Sequence, residues 1–137
     1  MYLIFDTETT GLPRRWNAPL SDSDNWPRCV QIAWQLHDSN GEYLSHENYI
    51  IKPDGYDIPY DSEKIHGIST ALAENDGIDQ VDVLQNFEIA LKKAKFICGH
   101  NVSFDLNIVG AEFLRLGLQN LFEGFPIIDT CTEETAS

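Results

Sequence analysis

The chain has 137 residues, of which 42% are hydrophobic, and its 22 acidic and 9 basic side chains give a formal net charge of −13. That charge excludes a protein that coats nucleic acid through general attraction to phosphates, because such attraction requires an excess of Lys and Arg. No apolar run approaches the ~18 to 20 residues of a membrane helix, and the first residues do not resemble a secretion signal. We therefore expect one soluble, cytoplasmic domain over residues 1–137, with no membrane partner.

Three strands are predicted in the first part of the chain. Residues 2–5 form an apolar run that is typical of a strand buried on both faces. Residues 30–36 alternate large apolar side chains with polar or small ones, which indicates a second strand. The Asn40-Gly41 pair predicts a two-residue hairpin turn into a third strand over residues 42–51. The second and third strands should therefore be antiparallel.

Helices and strands alternate in the rest of the chain. One or two short helical turns are predicted over residues 61–73, and apolar residues at three- and four-residue spacing predict an amphipathic helix over residues 80–95. Residues 96–98 form a predicted buried strand, and Ser103 is the predicted N-cap of a helix that ends near residue 116. With a last strand at residues 126–129, the pattern predicts an α/β fold with a mixed sheet flanked by helices.

The last residues predict the beginning of another helix. Residues 130–133 (TCTE) fit the capping box that opens a helix, but only four residues follow before residue 137. So short a helix is marginal. We therefore expect that the C-terminal part of the domain is missing from this chain.

Two acids at the end of the first strand are candidate metal ligands. Period-2 alternation places Asp6 and Glu8 on one side of the strand and Thr7 on the other. Carboxylates that lie close together repel each other unless a cation or a proton holds them. Such oxygen ligands favour Mg²⁺ or Mn²⁺. The alternative is that the two acids only end a strand and begin a polar turn.

A third acid follows the fourth predicted strand. Residues 99–105 lead from a buried strand into a helix that carries Asp105 in its first turn. An acid there is stabilised by the helix dipole, and this stabilisation alone could explain its presence. The strand-end and helix-start positions predict instead that the carboxylates of Asp6, Glu8 and Asp105 converge on one pocket.

Three segments together resemble a known family. They are FDTETTGLP at residues 5–13, IHGIS at residues 65–69 and GHNVSFD at residues 99–105. In order and spacing they are similar to the motifs of the DEDD exonuclease superfamily, which has a ribonuclease H-like fold. They resemble in particular the proofreading epsilon-type subunit of bacterial DNA polymerase III, or the same domain fused to a polymerase.

The resemblance implies which residues would be catalytic. Asp6, Glu8 and Asp105 match three of the family's four metal-binding acids, which hold two Mg²⁺ or Mn²⁺ ions. The fourth acid and the general base, His or Tyr, belong to a third motif that this sequence does not contain. The resemblance thus agrees with the expectation of a missing C-terminal part, and it implies weak or no activity for these 137 residues alone.

The resemblance also implies contacts with the terminal nucleotide. The matching positions are Thr9, Thr10, Gly11, Leu12, His66, Asn101 and Phe104. Gly11 would permit close approach of the backbone. His66 has a second interpretation, as a helix-end histidine bonded to nearby backbone, and Asn101 could instead cap the helix of Asp105.

The loop after the first motif is longer than the minimal family pattern. It spans residues 14–27 and contains Trp16 and Trp26. An exposed Trp there could stack on a single strand, or both could serve packing.

The function implied by the resemblance is hydrolysis of terminal phosphodiesters of single-stranded DNA in the 3′ to 5′ direction by two metal ions. The expected partners are a DNA 3′ end and a DNA polymerase subunit or fused polymerase whose synthesis is proofread. Two alternatives are an exoribonuclease of the same superfamily and a non-catalytic module that binds nucleic acid or a polymerase.

Overall fold

The computed structural model describes residues 1–99 and 102–128. Its five strands are β1 (Tyr2–Thr9), β2 (Cys29–His37), β3 (Tyr43–Ile50), β4 (Phe96–Cys98) and β5 (Ile127–Ile128). They form one sheet in the order β3-β2-β1-β4-β5. The pairs β1–β2 and β2–β3 are antiparallel, whereas β4 pairs in parallel with β1 and with β5. The prediction of a mixed sheet is confirmed.

Four helices accompany the sheet in the described residues. They are α1 (Tyr60–His66), α2 (Thr70–Asp76), α3 (Gln80–Lys93) and α4 (Val102–Arg115). In the apolar stripe predicted for α3, Leu84, Phe87 and Leu91 are at most 2% exposed as predicted, whereas Val81 is 45% exposed. Gly67 ends α1 in a left-handed conformation at φ 77°, which separates α1 from α2.

The main core lies between one face of the sheet and the helices α3 and α4. From β1 it takes Leu3 and Phe5, and Phe5 meets the ring of Phe87 on α3 at 5.2 Å between centroids. A smaller cluster of Val30, Ile58, Ile68 and Ala73 forms a second apolar contact region. Both clusters bury side chains that alternate along the strands, because a strand presents every second residue to one face.

Three local predictions need correction. The strand β1 is not buried on both faces: Leu3 and Phe5 are buried, but Tyr2 and Ile4 on the other face are only half-buried. Among the described residues, α3 and α4 pack against only one face of β1, and the main core lies there. Central position in the sheet therefore did not imply burial on both sides.

The hairpin between β2 and β3 has a longer loop than predicted. The Asp38 N–H donates to the Glu42 carbonyl at 2.9 Å, which leaves three residues, 39–41, in the loop. Gly41 takes the left-handed conformation at φ 84°, as three-residue hairpin loops require. The Asp38 carboxylate also accepts from the N–H groups of Asn40 and Glu42, so a side chain outside the predicted pair stabilises the turn.

The helix α4 begins at Val102, so Ser103 lies inside the helix and is not its N-cap. The predicted capping box at residues 130–133 lies outside the described residues. None of the helices in the described part of the chain combines the length and the apolar content needed to span a membrane.

Candidate active site

The first motif and the second motif meet at the carboxyl half of β1. Asp105, in the first turn of α4, accepts two hydrogen bonds through Oδ1 from a residue 98 positions away. The Thr7 hydroxyl donates at 2.5 Å and the Thr7 N–H donates at 3.2 Å. Packing of α4 against β1 thus brings Asp105 to the residue that separates Asp6 from Glu8.

The side chains along this part of β1 differ in burial. Thr7 is on the buried side, where α4 packs, whereas Asp6 is exposed and Glu8 is half-buried on the other side. Within residues 1–99 and 102–128, no group of three Asp, Glu, His or Cys side chains is arranged to hold a metal ion. The convergence of Asp6, Glu8 and Asp105 on one pocket therefore stays a prediction.

Electrostatic interaction still links the three acids. The pKa of Asp105 is raised to about 6, mainly by burial and also by the negative charges of Asp6 and Glu8. The two hydrogen bonds from Thr7 act in the opposite direction, because they favour the charged carboxylate. A half-buried acid that is repelled by two neighbouring acids is stabilised by a proton or by a cation. The donor set, all carboxylate oxygen, suits Mg²⁺ or Mn²⁺.

The raised pKa of Asp105 predicts a pH-dependent change in stability. The folded protein binds this proton more tightly than the unfolded chain, so Asp105 stabilises the fold at low pH. This contribution is lost as the pH rises from about 4 to about 6, where the folded carboxyl ionises. Asp105→Asn keeps an oxygen that accepts from Thr7 but carries no charge. We expect the variant to melt at a higher temperature than wild type at pH 8 in EDTA, and at a similar temperature at pH 4. A higher melting temperature of wild type at pH 8 would contradict this electrostatic cost.

A tight turn follows β1. The register with β2 shifts between Glu8 and Thr9, an irregularity that is common beside active sites. The Thr9 hydroxyl donates to the Gly11 carbonyl at 2.8 Å and accepts from the Gly11 N–H at 3.3 Å. Gly11 has φ 154°, and no atom lies within 4 Å of the position that a Cβ would occupy. The surface above Gly11 is therefore open.

The other predicted nucleotide contacts divide into internal and exposed residues. The Thr10 hydroxyl accepts from the Arg28 N–H at 2.9 Å and so serves the fold. Leu12 is 73% exposed and Phe104 is half-buried. Asn101 lies outside the described residues.

His66 forms the predicted helix-end bond through one ring nitrogen, and its other ring nitrogen has no partner among the described residues. Its Nδ1 accepts from the Ile68 N–H at 3.1 Å, which is the predicted helix-end bond. Its Nε2 is buried and has no hydrogen-bond partner among the described residues. Four residues earlier on the same side of α1, the Ser62 hydroxyl donates to the Thr10 carbonyl at 2.7 Å. This bond fixes α1, and with it His66, against the turn that follows β1.

Sequence reasoning missed two features of this region. It assigned no role to Thr7, although alternation already places Thr7 on the side where a helix would pack. It also missed Glu112, a fully buried acid whose carboxylate accepts from Arg28 Nε at 2.9 Å and pairs with Arg115. The contact between Arg28 and Glu112 joins residues that are 84 positions apart, so no local pattern of the sequence indicates it.

Comparison with known proteins identifies the family. The RNase_T family model, described as an exonuclease, matches residues 3–132. The chain belongs to this exonuclease family. The match confirms the membership of the DEDD superfamily that the three motifs predicted.

One curated relative is a DNA polymerase III of the PolC type from Pediococcus pentosaceus. It is 27% identical over 131 residues, which are 96% of this chain but 8% of that polymerase. The chain therefore corresponds to a small part of a much longer relative.

Solved structures of E. coli Exonuclease I share the fold. The complex with a dT13 oligonucleotide superposes with a TM-score of 0.75 at 23% identity, over 93% of this chain and 27% of that one. The zinc-bound complex with single-stranded DNA gives a TM-score of 0.74 at 23% identity, with the same coverage. These matches confirm the ribonuclease H-like fold predicted from the resemblance.

Proposed function

We propose that this chain is a 3′ to 5′ exonuclease that hydrolyses single-stranded DNA with the help of Mg²⁺ or Mn²⁺. The observation that carries the proposal is the contact between Asp105 and Thr7. It joins the second family motif to the first across 98 residues, in a chain whose family is an exonuclease family. A copy of the fold used for binding alone would not need three acids at this position.

The proposed function assigns metal binding and nucleotide binding to different residues. Asp6, Glu8 and Asp105 would hold the metal, and Asp105 has to exchange a hydrogen bond from Thr7 for the ion. The bound ions would activate water and stabilise the leaving 3′ oxygen. The open surface at Gly11, with exposed Leu12 beside it, would receive the terminal nucleotide. His66 Nε2 would be available for a hydrogen bond to that nucleotide.

Similar proteins support single-stranded DNA as the substrate and a polymerase as the partner. Exonuclease I was solved with a dT13 oligonucleotide, and the PolC-type relative is a DNA polymerase. We therefore propose proofreading for a DNA polymerase as the biological role. An exoribonuclease of the same superfamily is the alternative, and no described contact favours it.

The direct test is product analysis with the full-length native protein. A 5′-labelled single-stranded DNA should shorten one nucleotide at a time in Mg²⁺ or Mn²⁺, and EDTA should stop the reaction. A circular single strand of the same sequence should stay intact, because it has no 3′ end. Cleavage of the circle would indicate an endonuclease, and equal turnover of the matching RNA strand would overturn the assignment to DNA.

A further inference from the structure

The long loop after the first motif exposes one large aromatic side chain. The chain has three Trp residues. Trp26 and Trp34 are 3% and 4% exposed, whereas Trp16 is 56% exposed. Trp26 therefore has the packing role, whereas Trp16 lies at the surface, where stacking on a single strand stays a prediction.

Hydrogen bonds fix the tip of this loop. At the neck, the Thr10 N–H donates to the Arg28 carbonyl at 3.0 Å. Inside the loop, the buried Asn25 side chain accepts from the Arg15 N–H at 2.8 Å and donates to the Arg15 carbonyl at 2.9 Å. The backbone next to Trp16 is thus ordered before any ligand binds, which lowers the entropy cost of binding.

The loop also lies along α4, the helix that carries Asp105. Leu20 packs so closely that a Cβ on Gly110 would be 2.8 Å from Leu20 Cδ1. Near the end of α4, Arg115 Nη2 donates to the Ser23 carbonyl at 2.8 Å and to the Trp26 carbonyl at 2.6 Å. These contacts place the loop along the C-terminal half of the helix.

The exposed Trp16 meets α4 at its first turn. Its ring lies 5.5 Å from that of Phe104, at an interplanar angle of 53°. Phe104 immediately precedes Asp105, so Trp16 extends an aromatic surface outward from the candidate active site. Phe104 is half-buried and packs against the main core, so Trp16 is the ring of this pair that is free to contact a ligand.

The two residues before Trp16 are basic. Arg14 and Arg15 are two of the nine basic residues in a chain of net charge −13, and both are exposed. Arg15 lies 3.7 Å from Asp22 in an exposed pair. Arg14 forms no ion pair with the described residues. Adjacent positive and aromatic side chains match the phosphates and bases of a single strand.

We propose that Arg14, Arg15 and Trp16 form a subsite for a nucleotide upstream of the 3′ end that is hydrolysed. Trp16 stacks on the base, supported from behind by Phe104, and the two Arg side chains contact the phosphates. The subsite rests on the proposed function, because it requires a single strand whose 3′ end lies at Asp6 and Asp105. It gives an acidic enzyme local affinity for a polyanion.

Binding of a 5′-fluorescein-labelled oligodeoxythymidylate, with Ca²⁺ in place of Mg²⁺, tests the proposal by fluorescence anisotropy. We expect Trp16→Ala to weaken binding about tenfold or more, as alanine substitution of stacking residues commonly does. Trp16→Phe should retain most of the affinity. Arg14→Glu should weaken binding and reduce its salt dependence. Lys95→Glu makes the same charge change on an exposed residue beside the opposite end of β1, and it should have a much smaller effect.

The intrinsic fluorescence of the protein gives a second readout. Since Trp26 and Trp34 are buried, acrylamide quenching reports mainly on Trp16. The oligonucleotide should reduce acrylamide quenching of the wild-type fluorescence. It should not change the quenching of the Trp16→Phe variant. Melting curves of the variants, measured in parallel, should match wild type because Trp16 lies on the surface.

Two outcomes would overturn the subsite, and they differ in what they imply for the proposed function. Wild-type affinity in Trp16→Ala and no protection of the fluorescence, with cleavage intact, would remove the subsite alone. Absence of both oligonucleotide binding and cleavage in wild type would remove the proposed function together with it.

Discussion

Asp6→Asn is expected to lower the rate of single-strand hydrolysis by the full-length native protein at least about 100-fold. Asp6 is exposed at the carboxyl half of β1 and is one of the three acids proposed to hold the metal. Substitution of a residue that only orients a metal ligand commonly lowers metal affinity or activity about 10- to 100-fold. Loss of a ligand itself should cost at least as much. The rate is measured as release of mononucleotides from a 3′-labelled strand.

The variant should remain folded. Asp6 raises the pKa of Asp105 by repulsion, after the larger effect of burial, so removing the charge of Asp6 relieves repulsion in the metal-free protein. Asp54→Asn, at an exposed acid in the loop after β3, serves as the matched control and should cleave at the wild-type rate. Activity of Asp6→Asn within a few-fold of wild type would mean that Asp6 holds no catalytic metal.

Glu112→Gln is expected to destabilise the protein by about 3 kcal/mol. The Glu112 side chain is fully buried, whereas those of Arg28 and Arg115 are 22% and 14% exposed. Breaking a buried ion pair by removing one partner costs about 3–5 kcal/mol, because it leaves an uncompensated charge. Partial exposure of both Arg side chains places the expected value at the lower end. Urea denaturation measures the change in the free energy of unfolding.

A surface ion pair provides the control for Glu112. Glu88 on α3 lies 3.1 Å from Lys92, and the Lys92 side chain is 72% exposed. Glu88→Gln should cost no more than about 0.5 kcal/mol, as pairs of this kind do. Equal effects of the two substitutions would show that burial gives Glu112 no special importance.

The contacts of Glu112 also affect the candidate site. Glu112 also accepts from the Cys29 N–H at 3.3 Å, so it ties α4 to the beginning of β2. It lies seven residues, or about two helical turns, after Asp105 on the same helix. Loss of this connection should therefore loosen the orientation of α4 as well as lower stability.

The local pattern of the sequence was enough to predict most of the secondary structure. Leu84, Phe87 and Leu91 recur at three- and four-residue spacing and predict α3, because helix periodicity appears within one segment. The hairpin and the strand β4 follow from similar short signals. The start of α4 was predicted less accurately, as Ser103 shows. Its residue type suits a cap, but the helix begins one residue earlier, and helix ends are the least reliable part of such predictions.

The motifs name the residues of the candidate site, but its geometry depends on tertiary packing. The motifs select Asp6, Glu8 and Asp105, but the direction of each side chain depends on which face of β1 receives α4. Thr7, the residue that bonds Asp105, faces that helix because of strand alternation. The Arg28–Glu112–Arg115 interaction likewise exists only after β2 and α4 have packed together.

The position of a bound metal ion is the measurement that tests the proposed site most directly. Crystals of the protein soaked in Mn²⁺ would locate the ion by anomalous scattering, at oxygen distances of about 2 Å for a hard divalent cation. We predict an ion bound to Asp6, with Glu8 or Asp105 as a second ligand and the Asp105 carboxylate moved from its bond with Thr7. An Asp6 that binds no ion, with Asp105 still bonded to Thr7 at saturating Mn²⁺, would contradict a metal-dependent exonuclease site at these three acids.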